Sequence, residues 1–451
     1  MRFGLFYEHQ LPRPWAEGSE RKLLHDALEQ IELADRLGFH RVWEVEHHFL
    51  EEYSHSSAPE VFLAAASQRT SQIRLGHGIV QTPPAFNHPA RIAERIATLD
   101  LLSDGRVDFG TGESSSEAEL GGFGVDAAEK RDMWREGLEV AVRCLTEEPF
   151  GGHEGRYVSM PPRNVVPKPL QTPHPPLWVA CSRRDTIRMA AENGLGALSF
   201  SFMDPEDART WVDEYEAILA ERCTPIGLAV NARLSCVTPM MVHASEEEAV
   251  RRGLEGANFF GYSLGHYYIF GEHRPGRTDV WAEYQERRGD VGYSPEVAAA
   301  VEQQRLGAKV AAGETAGLRG AVGDVQQVRE YVRRYEQAGV DELIFVLQAG
   351  NNRHEDICES IELFAAKILP EFAERADQAE KEKDERLAAA VEAALARRPA
   401  QPDPPDENYT IAGLLKQAAK VSGNESLEQL NEQMAQDRAE GKPLHIPGVF
   451  D

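Results

Sequence analysis

Basic residues are scarce beside acidic ones: 48 Lys and Arg stand against 74 Asp and Glu, a formal net charge of −26. Nucleic acid and anionic membrane surfaces carry the same sign, so neither suits this chain as a partner; a small ligand stays open. Cysteine is sparse too. Cys144, Cys181, Cys223, Cys236 and Cys358 are far apart, odd in number and form no CxxC pair. That spacing fits reduced thiols in a cytoplasmic protein and excludes a disulfide or zinc framework. No apolar run approaches the ~18 residues of a membrane-spanning helix. The first residues, MRFGLFYEHQ, lack the basic start and apolar stretch of a signal peptide. No Gly-x-Gly-x-x-Gly follows the first strand-like stretch, which removes the main mark of a dinucleotide-binding sheet. No internal repeat of solenoid period is visible.

What the chain has is alternation, with a hydrophobic share of 42% that suffices for a large core. Strand-like stretches at 2–7, 41–46, 73–80, 106–110, 177–180, 197–200, 226–242 and 342–347 are separated by helical ones. The helical stretches fall at 20–37, 59–69, 89–102, 126–145, 185–193, 205–222, 324–338 and 354–368. Alternation of this kind requires parallel strands with helical crossovers. Eight units favour closure into an α/β (β/α)8 TIM barrel over an open doubly wound sheet. Two segments break the pattern. Residues 252–319, rich in Gly, Tyr and His, read as an irregular, lid-like insertion before the last strand, with some helix at 295–306. Residues 373–451 read as an appendage: a charged helix at 376–397, the proline-rich linker RPAQPDPPDE at 398–407, and a polar, partly disordered tail with one amphipathic stretch at 411–419. The barrel domain is expected to span 1–372.

In such a barrel ligands sit beyond the carboxyl ends of the strands. The most pointed stretch is FHRVWEVEHHF at 39–49, a short strand that runs into Glu46, His47 and His48. Its bland alternative is a solvated turn. The other strand ends add Tyr7, Glu8 and His9; His77, Gly78, Gln81 and Thr82; GTGESSS at 110–116; and ACSRR at 180–184. Small residues at the last two ends admit a flat ligand. Ser182, the amides behind it and the start of the following helix form an anion cradle. Arg131, Arg183 and Arg184 can fork onto a phosphate. His9, His47, His48, His77 and His88 leave a metal-dependent hydrolase open as an alternative, although no His-x-His stands on the first strand.

Several motifs in one order carry a resemblance: MRFG at 1–4, the stretch 38–49, the region 75–88, SDGRVDFG at 103–110, GFGVD at 122–126 leading to Arg131, LWVACS at 177–182, and 350–370. Together they resemble the bacterial luciferase-like flavin-dependent monooxygenases over about 1–372, most weakly across 252–319, where that family has a mobile lid. The resemblance implies an enzyme that takes reduced FMN (FMNH2) from a separate flavin reductase and reacts it with O2. The resulting C4a-(hydro)peroxyflavin would oxygenate a small organic, apolar substrate. It also implies a homodimer formed through helices near the second and third units. By position, His47 matches the family's catalytic histidine, and an imidazole suits acid or base work because its pKa lies near operating pH. Arg131 and Ser182 match residues that hold the FMN phosphate, with Ala180 and Cys181 beside them. Gly78 and Ile79 match a site that often carries a non-prolyl cis peptide beneath the isoalloxazine. Glu46-His47-His48 favours FMN over deazaflavin, whose users tend to carry Asp-His there. Two departures stand out. Gly112, counted among the flavin contacts, and Glu113 replace a reactive cysteine and its neighbouring arginine in the light-emitting enzymes. Light emission is therefore disfavoured, and an acidic Glu113 is repulsive to a phosphate. A non-catalytic accessory subunit is the other reading the resemblance leaves open. Phe259, Phe260, Tyr262, Tyr267, Tyr268 and Phe270 either shape an apolar pocket under the insertion or simply pack it down.

Overall fold

Each of the eight strand-like stretches forms a strand. They are β1 (Arg2–Tyr7), β2 (Arg41–Glu44), β3 (Arg74–His77), β4 (Val107–Gly112), β5 (Leu177–Cys181), β6 (Gly196–Ser199), β7 (Leu234–His243) and β8 (Glu342–Val346). The computed structural model describes residues 1–200, 205–287, 319–413, 417 and 425–442. All neighbours pair in parallel, and β8 returns to β1 with Arg2 opposite Glu342, so the sheet closes on itself. This is the expected (β/α)8 barrel.

The period-two alternation of the strands divides the core in two. Phe6, Trp43, Trp178, Leu198, Val237 and Ile344 fill the barrel interior. Phe3, Leu5, Val42, Leu75, Phe109 and Cys181 face the surrounding helices. Inside, Trp43 and Trp178 meet edge to face at 5.3 Å. The room for the Trp43 ring comes from Gly76, where a Cβ would stand 2.3 Å from it. Below the tryptophans, Arg41 donates to Asp108 at 2.9 Å and to Glu342 at 2.5 Å. That buried ion cluster plugs the amino-terminal mouth and leaves the opposite mouth for a ligand.

The insertion differs from its expected form. A regular helix, Glu246–Gly265, starts ahead of it and runs into it, continued by one π turn, His266–Phe270. Its glycines read as breakers, yet they serve close packing: a Cβ on Gly253 would stand 2.3 Å from Met241 Cβ, and one on Gly256 would stand 2.4 Å from the Ala349 carbonyl. A second helix, Val280–Arg287, follows. The helix expected at 295–306 lies outside the described residues.

The carboxyl-terminal boundary also moves. Leu369–Ala396 is one long helix that belongs to the barrel, so the first compact unit runs from Met1 to Pro402 and not to residue 372. Its charged face hides the reason: Lys383 binds Asp341 at 2.7 Å, Arg233 binds Asp384 at 2.6 Å, and Arg2 binds Glu380 at 2.7 Å, while Phe372 and Leu387 are buried. A second unit, Asp403–Asp451, holds the helix Glu425–Ala439; most of the stretch expected to be amphipathic at 411–419 lies outside the described residues. Among the described residues no helix is long and apolar enough to cross a membrane.

Candidate active site

A cleft opens at the carboxyl ends of the strands. His47, Gly78, Ile79, Gly112, Arg131, Ala180 and Ser182 all line it, together with Glu8, Tyr53, Gln81, Glu113, Arg183, Phe200, Leu264 and Tyr268. The sequence-derived set thus comes together from five different chain segments, with one exception. Cys181 follows Ala180 on β5, so its side chain points the other way. It is fully buried in the helix-facing core, and burial pushes its thiol up to about 12.

One further expectation is corrected. The Gly78–Ile79 peptide is not among the cis bonds of the described residues, which all precede prolines: Pro14, Pro149, Pro167 and Pro173. The glycine at 112, which lines the cleft, also makes room for protein, since a Cβ there would stand 2.5 Å from Ile79 Cδ1.

His47 is the centre of the polar end. Its Nδ1 lies 3.0 Å from Glu119 Oε1, and its Nε2 lies 3.6 Å from Glu8 Oε2. The Tyr268 hydroxyl stands 3.5 Å from Nδ1. Burial by itself lowers the imidazole pKa, but the carboxylates of Glu119 and Glu8 outweigh it and hold His47 up to about 9. Glu119 is held by the Ser114 hydroxyl at 2.6 Å and the His48 amide at 2.9 Å. Its pKa is lowered: burial raises it, but His47 and these hydrogen bonds prevail. Glu8 is different. Burial pushes it up to about 7, against the pull of His47 and of the Tyr53 hydroxyl, which donates to it at 2.9 Å. Glu8 Oε2 has no hydrogen-bond partner, and neither has Gln81 Oε1; both atoms are buried and both residues line the cleft.

The other end of the cleft is cationic. Arg131, at the start of the helix Lys130–Thr146, donates to both oxygens of Glu113, at 2.5 and 2.8 Å. Lys130 Nζ lies 3.7 Å from Glu113 Oε1. Ser182 and Arg183 precede the helix Arg184–Glu192. Arg184 is not part of this end, because it is bound to Glu214 at 2.6 Å.

The remaining histidines scatter. His9 packs behind β2 against Glu44 at 2.8 Å, His48 against the Phe123 ring at 4.9 Å, and His88 caps the helix Pro89–Leu102. His77 is buried outside the cleft, where desolvation lowers it to about 4. Among the described residues no group of three or more His, Cys, Asp or Glu is placed to hold a metal ion. Of the six aromatic residues at 259–270 singled out in the sequence, Tyr268 alone lines the cleft; Phe259, Tyr262 and Phe270 pack with Val280 and Tyr284. Sequence reasoning missed Glu119 as a partner of His47. Ser116-Glu-Ala-Glu119 has the pattern of a capping box, but Ser116 makes no cap bond and Glu119 turns inward.

Comparison with known proteins agrees with this geometry. The chain is 27% identical over 379 residues to the flavin-dependent trigonelline monooxygenase, oxygenase component, of Acinetobacter baylyi, covering 83% of this chain and 96% of that one. It is 31% identical over 255 residues to limonene 1,2-monooxygenase of Rhodococcus erythropolis, covering 53% and 62%. A match to the uncharacterized protein y4wF of Sinorhizobium fredii, 37% identical over 172 residues, covers 38% of this chain and about half, 48%, of that relative. Among solved structures, the monooxygenase RslO1 of Streptomyces bottropensis superposes with a TM-score of 0.64 at 25% identity, over 82% of this chain and all of that one. The FMN complex of the oxygenating constituent of 3,6-diketocamphane monooxygenase from Pseudomonas putida shares the fold, with a TM-score of 0.61 at 20% identity, over 82% and 98%. The family model described as luciferase-like monooxygenase matches residues 1–342, three quarters of the chain and every barrel strand up to the start of β8. This chain belongs to the luciferase-like monooxygenase family.

Proposed function

We propose that the chain is the oxygenase component of a two-component system, receiving reduced FMN from a separate reductase and oxygenating a small, largely apolar organic substrate with O2. The observation that carries this reading is the single cleft with His47 between two carboxylates at one end and Arg131, Lys130 and Arg183 at the other. A flavin mononucleotide suits the donor set: a phosphate for the cations, and ring N–H groups for the unpartnered acceptors Gln81 Oε1 and Glu8 Oε2. When bound, reduced FMN supplies the electrons for splitting O2, one oxygen atom going to substrate and one to water.

The chain's own residues do the rest. Glu119 fixes the His47 ring and keeps a proton on it near neutral pH. Glu8, poised near pH 7, exchanges a proton with Nε2, and Tyr53 orients Glu8. Val45, Ile79, Phe200, Leu264 and Tyr268 give the cleft apolar walls that exclude water around an apolar substrate. The phrase "oxygenase component" in the Acinetobacter relative's name supports a separate reductase. The Glu-His-His ending of β2 favours FMN over deazaflavin. All five cysteines are free, in keeping with the cytoplasm. Val61, Leu101 and Leu102 are exposed on the helices Pro59–Ser67 and Pro89–Leu102 and suit a homodimer, which sedimentation would measure.

Anaerobic titration with reduced FMN, and in parallel with reduced deazaflavin, tests the reading. Saturable binding of reduced FMN is expected; its absence sinks the proposal. His47→Ala should keep that binding and lose substrate oxygenation, and unchanged turnover would remove His47 from the chemistry.

A further inference from the structure

We infer that Glu113 is an affinity-limiting residue: a resident carboxylate that occupies the guanidinium fork of Arg131 and must give way before a phosphate can bind there. The inference rests on the reading of this cleft as a flavin mononucleotide site. Both Glu113 oxygens accept from Arg131, at 2.5 and 2.8 Å. A two-pronged carboxylate in that position makes the contacts a phosphate would make. Lys130 adds a second cation 3.7 Å from Glu113, while its own Nζ donates to the Ser114 carbonyl and, at 3.2 Å, to Ser115 Oγ. Arg183 lines the same cleft, and among the described residues no ion pair holds it. Three cations and one carboxylate leave a formal charge of +2, which one phosphate dianion cancels.

A phosphate therefore finds its charge matched but its best donor engaged. Binding exchanges one bidentate anion for another on Arg131 and leaves Glu113 beside the newcomer, a like-charge contact. The result is a site that takes a phosphorylated flavin and also lets it go, as an oxygenase without its own reductase requires on every turnover. Gln81 and Glu8, which would meet the flavin ring, lie elsewhere in the cleft and would not be affected by this exchange.

The test is E113Q, with E113D as the second variant, each titrated anaerobically with reduced FMN and with reduced riboflavin, which lacks the phosphate. E113Q should bind FMN at least about tenfold more tightly, with a slower off-rate, because Arg131 is released and the repulsion removed. Riboflavin affinity should stay within about twofold in both variants, which also shows that they fold. E113D, too short to keep both contacts, should fall between. FMN affinity unchanged or weakened in E113Q, with riboflavin bound normally, overturns the inference but leaves the flavin site standing. Failure of FMN to bind either the wild type or E113Q overturns both.

Discussion

Replacing Glu119 by Gln isolates what holds a proton on His47. The substitution keeps the side chain's shape and removes its charge: the remaining oxygen still accepts from the His48 amide, and the new NH2 donates to Ser114 Oγ, reversing that bond. In the wild type the imidazole is lifted from 6.5 to about 9, a preference for imidazolium of roughly 3 kcal/mol at about 1.4 kcal/mol per pH unit. Without the carboxylate at 3.0 Å, burial opposes Glu8 at 3.6 Å and the smaller pull of Glu46, so the midpoint should fall toward 6.5. The stability consequence has a definite sign. A group whose pKa is raised in the folded state stabilises fully below its unfolded pKa and loses that contribution as pH rises through the folded value. Wild-type stability should therefore drop between pH 6.5 and about 9, by at most about 3 kcal/mol from this group, and the variant should be flatter across that window. Glu119, with its lowered pKa, contributes stability above about 4.5 that is lost on acidification, and Gln removes that slope too. Denaturant unfolding across pH and NMR of isotope-labelled histidines, assigned with His47→Gln, measure both effects. A His47 resonance that still titrates near pH 9 in Glu119→Gln would refute the argument.

Other outcomes follow from the same contacts. Glu8→Gln should abolish an ionisation near pH 7 in the kcat/KM profile, since burial places that group's pKa there; a profile with the ionisation intact assigns it elsewhere. A chain ending at Pro402 should keep the melting temperature of the full chain, because the first compact unit ends there. A chain ending at residue 372 loses the Lys383–Asp341 and Arg2–Glu380 pairs and the burial of Leu387. Calorimetry should show it at least ~3 kcal/mol less stable, or insoluble. Gly256→Ala forces a Cβ to 2.4 Å from a carbonyl oxygen and should cost about 1–3 kcal/mol of stability; a neutral effect would mean that the helix Glu246–Gly265 can move.

Much of the barrel was legible in the sequence because its signal is local. Apolar runs bounded by helices require parallel pairing wherever they occur, and one histidine pair at the end of a strand marks the ligand side. The sequence also placed His47 and Ser182 on one rim, since strand ends of a closed barrel converge however the intervening loops run; Arg131, at the start of a helix, was tied to that rim by the family resemblance. Other features depend on direction and distance across the fold. Period-two alternation sends Ala180 into the cleft and Cys181 out of it, and a single residue separates the two outcomes. The glycines of residues 246–265 mimic loop signals until Met241 and the Ala349 carbonyl are seen against them. The charged stretch at 376–397 reads as an appendage because its partners, Arg2, Arg233 and Asp341, lie far away in the chain. Above all, Glu119 is 72 residues from His47, and no periodicity links them. Local pattern determined which elements form and which rim carries the chemistry. The long-range meeting of partly buried charges in one cleft, which sets the protonation of His47 and engages Arg131, was decided by the tertiary structure alone, because electrostatic interaction depends on separation in space and on burial.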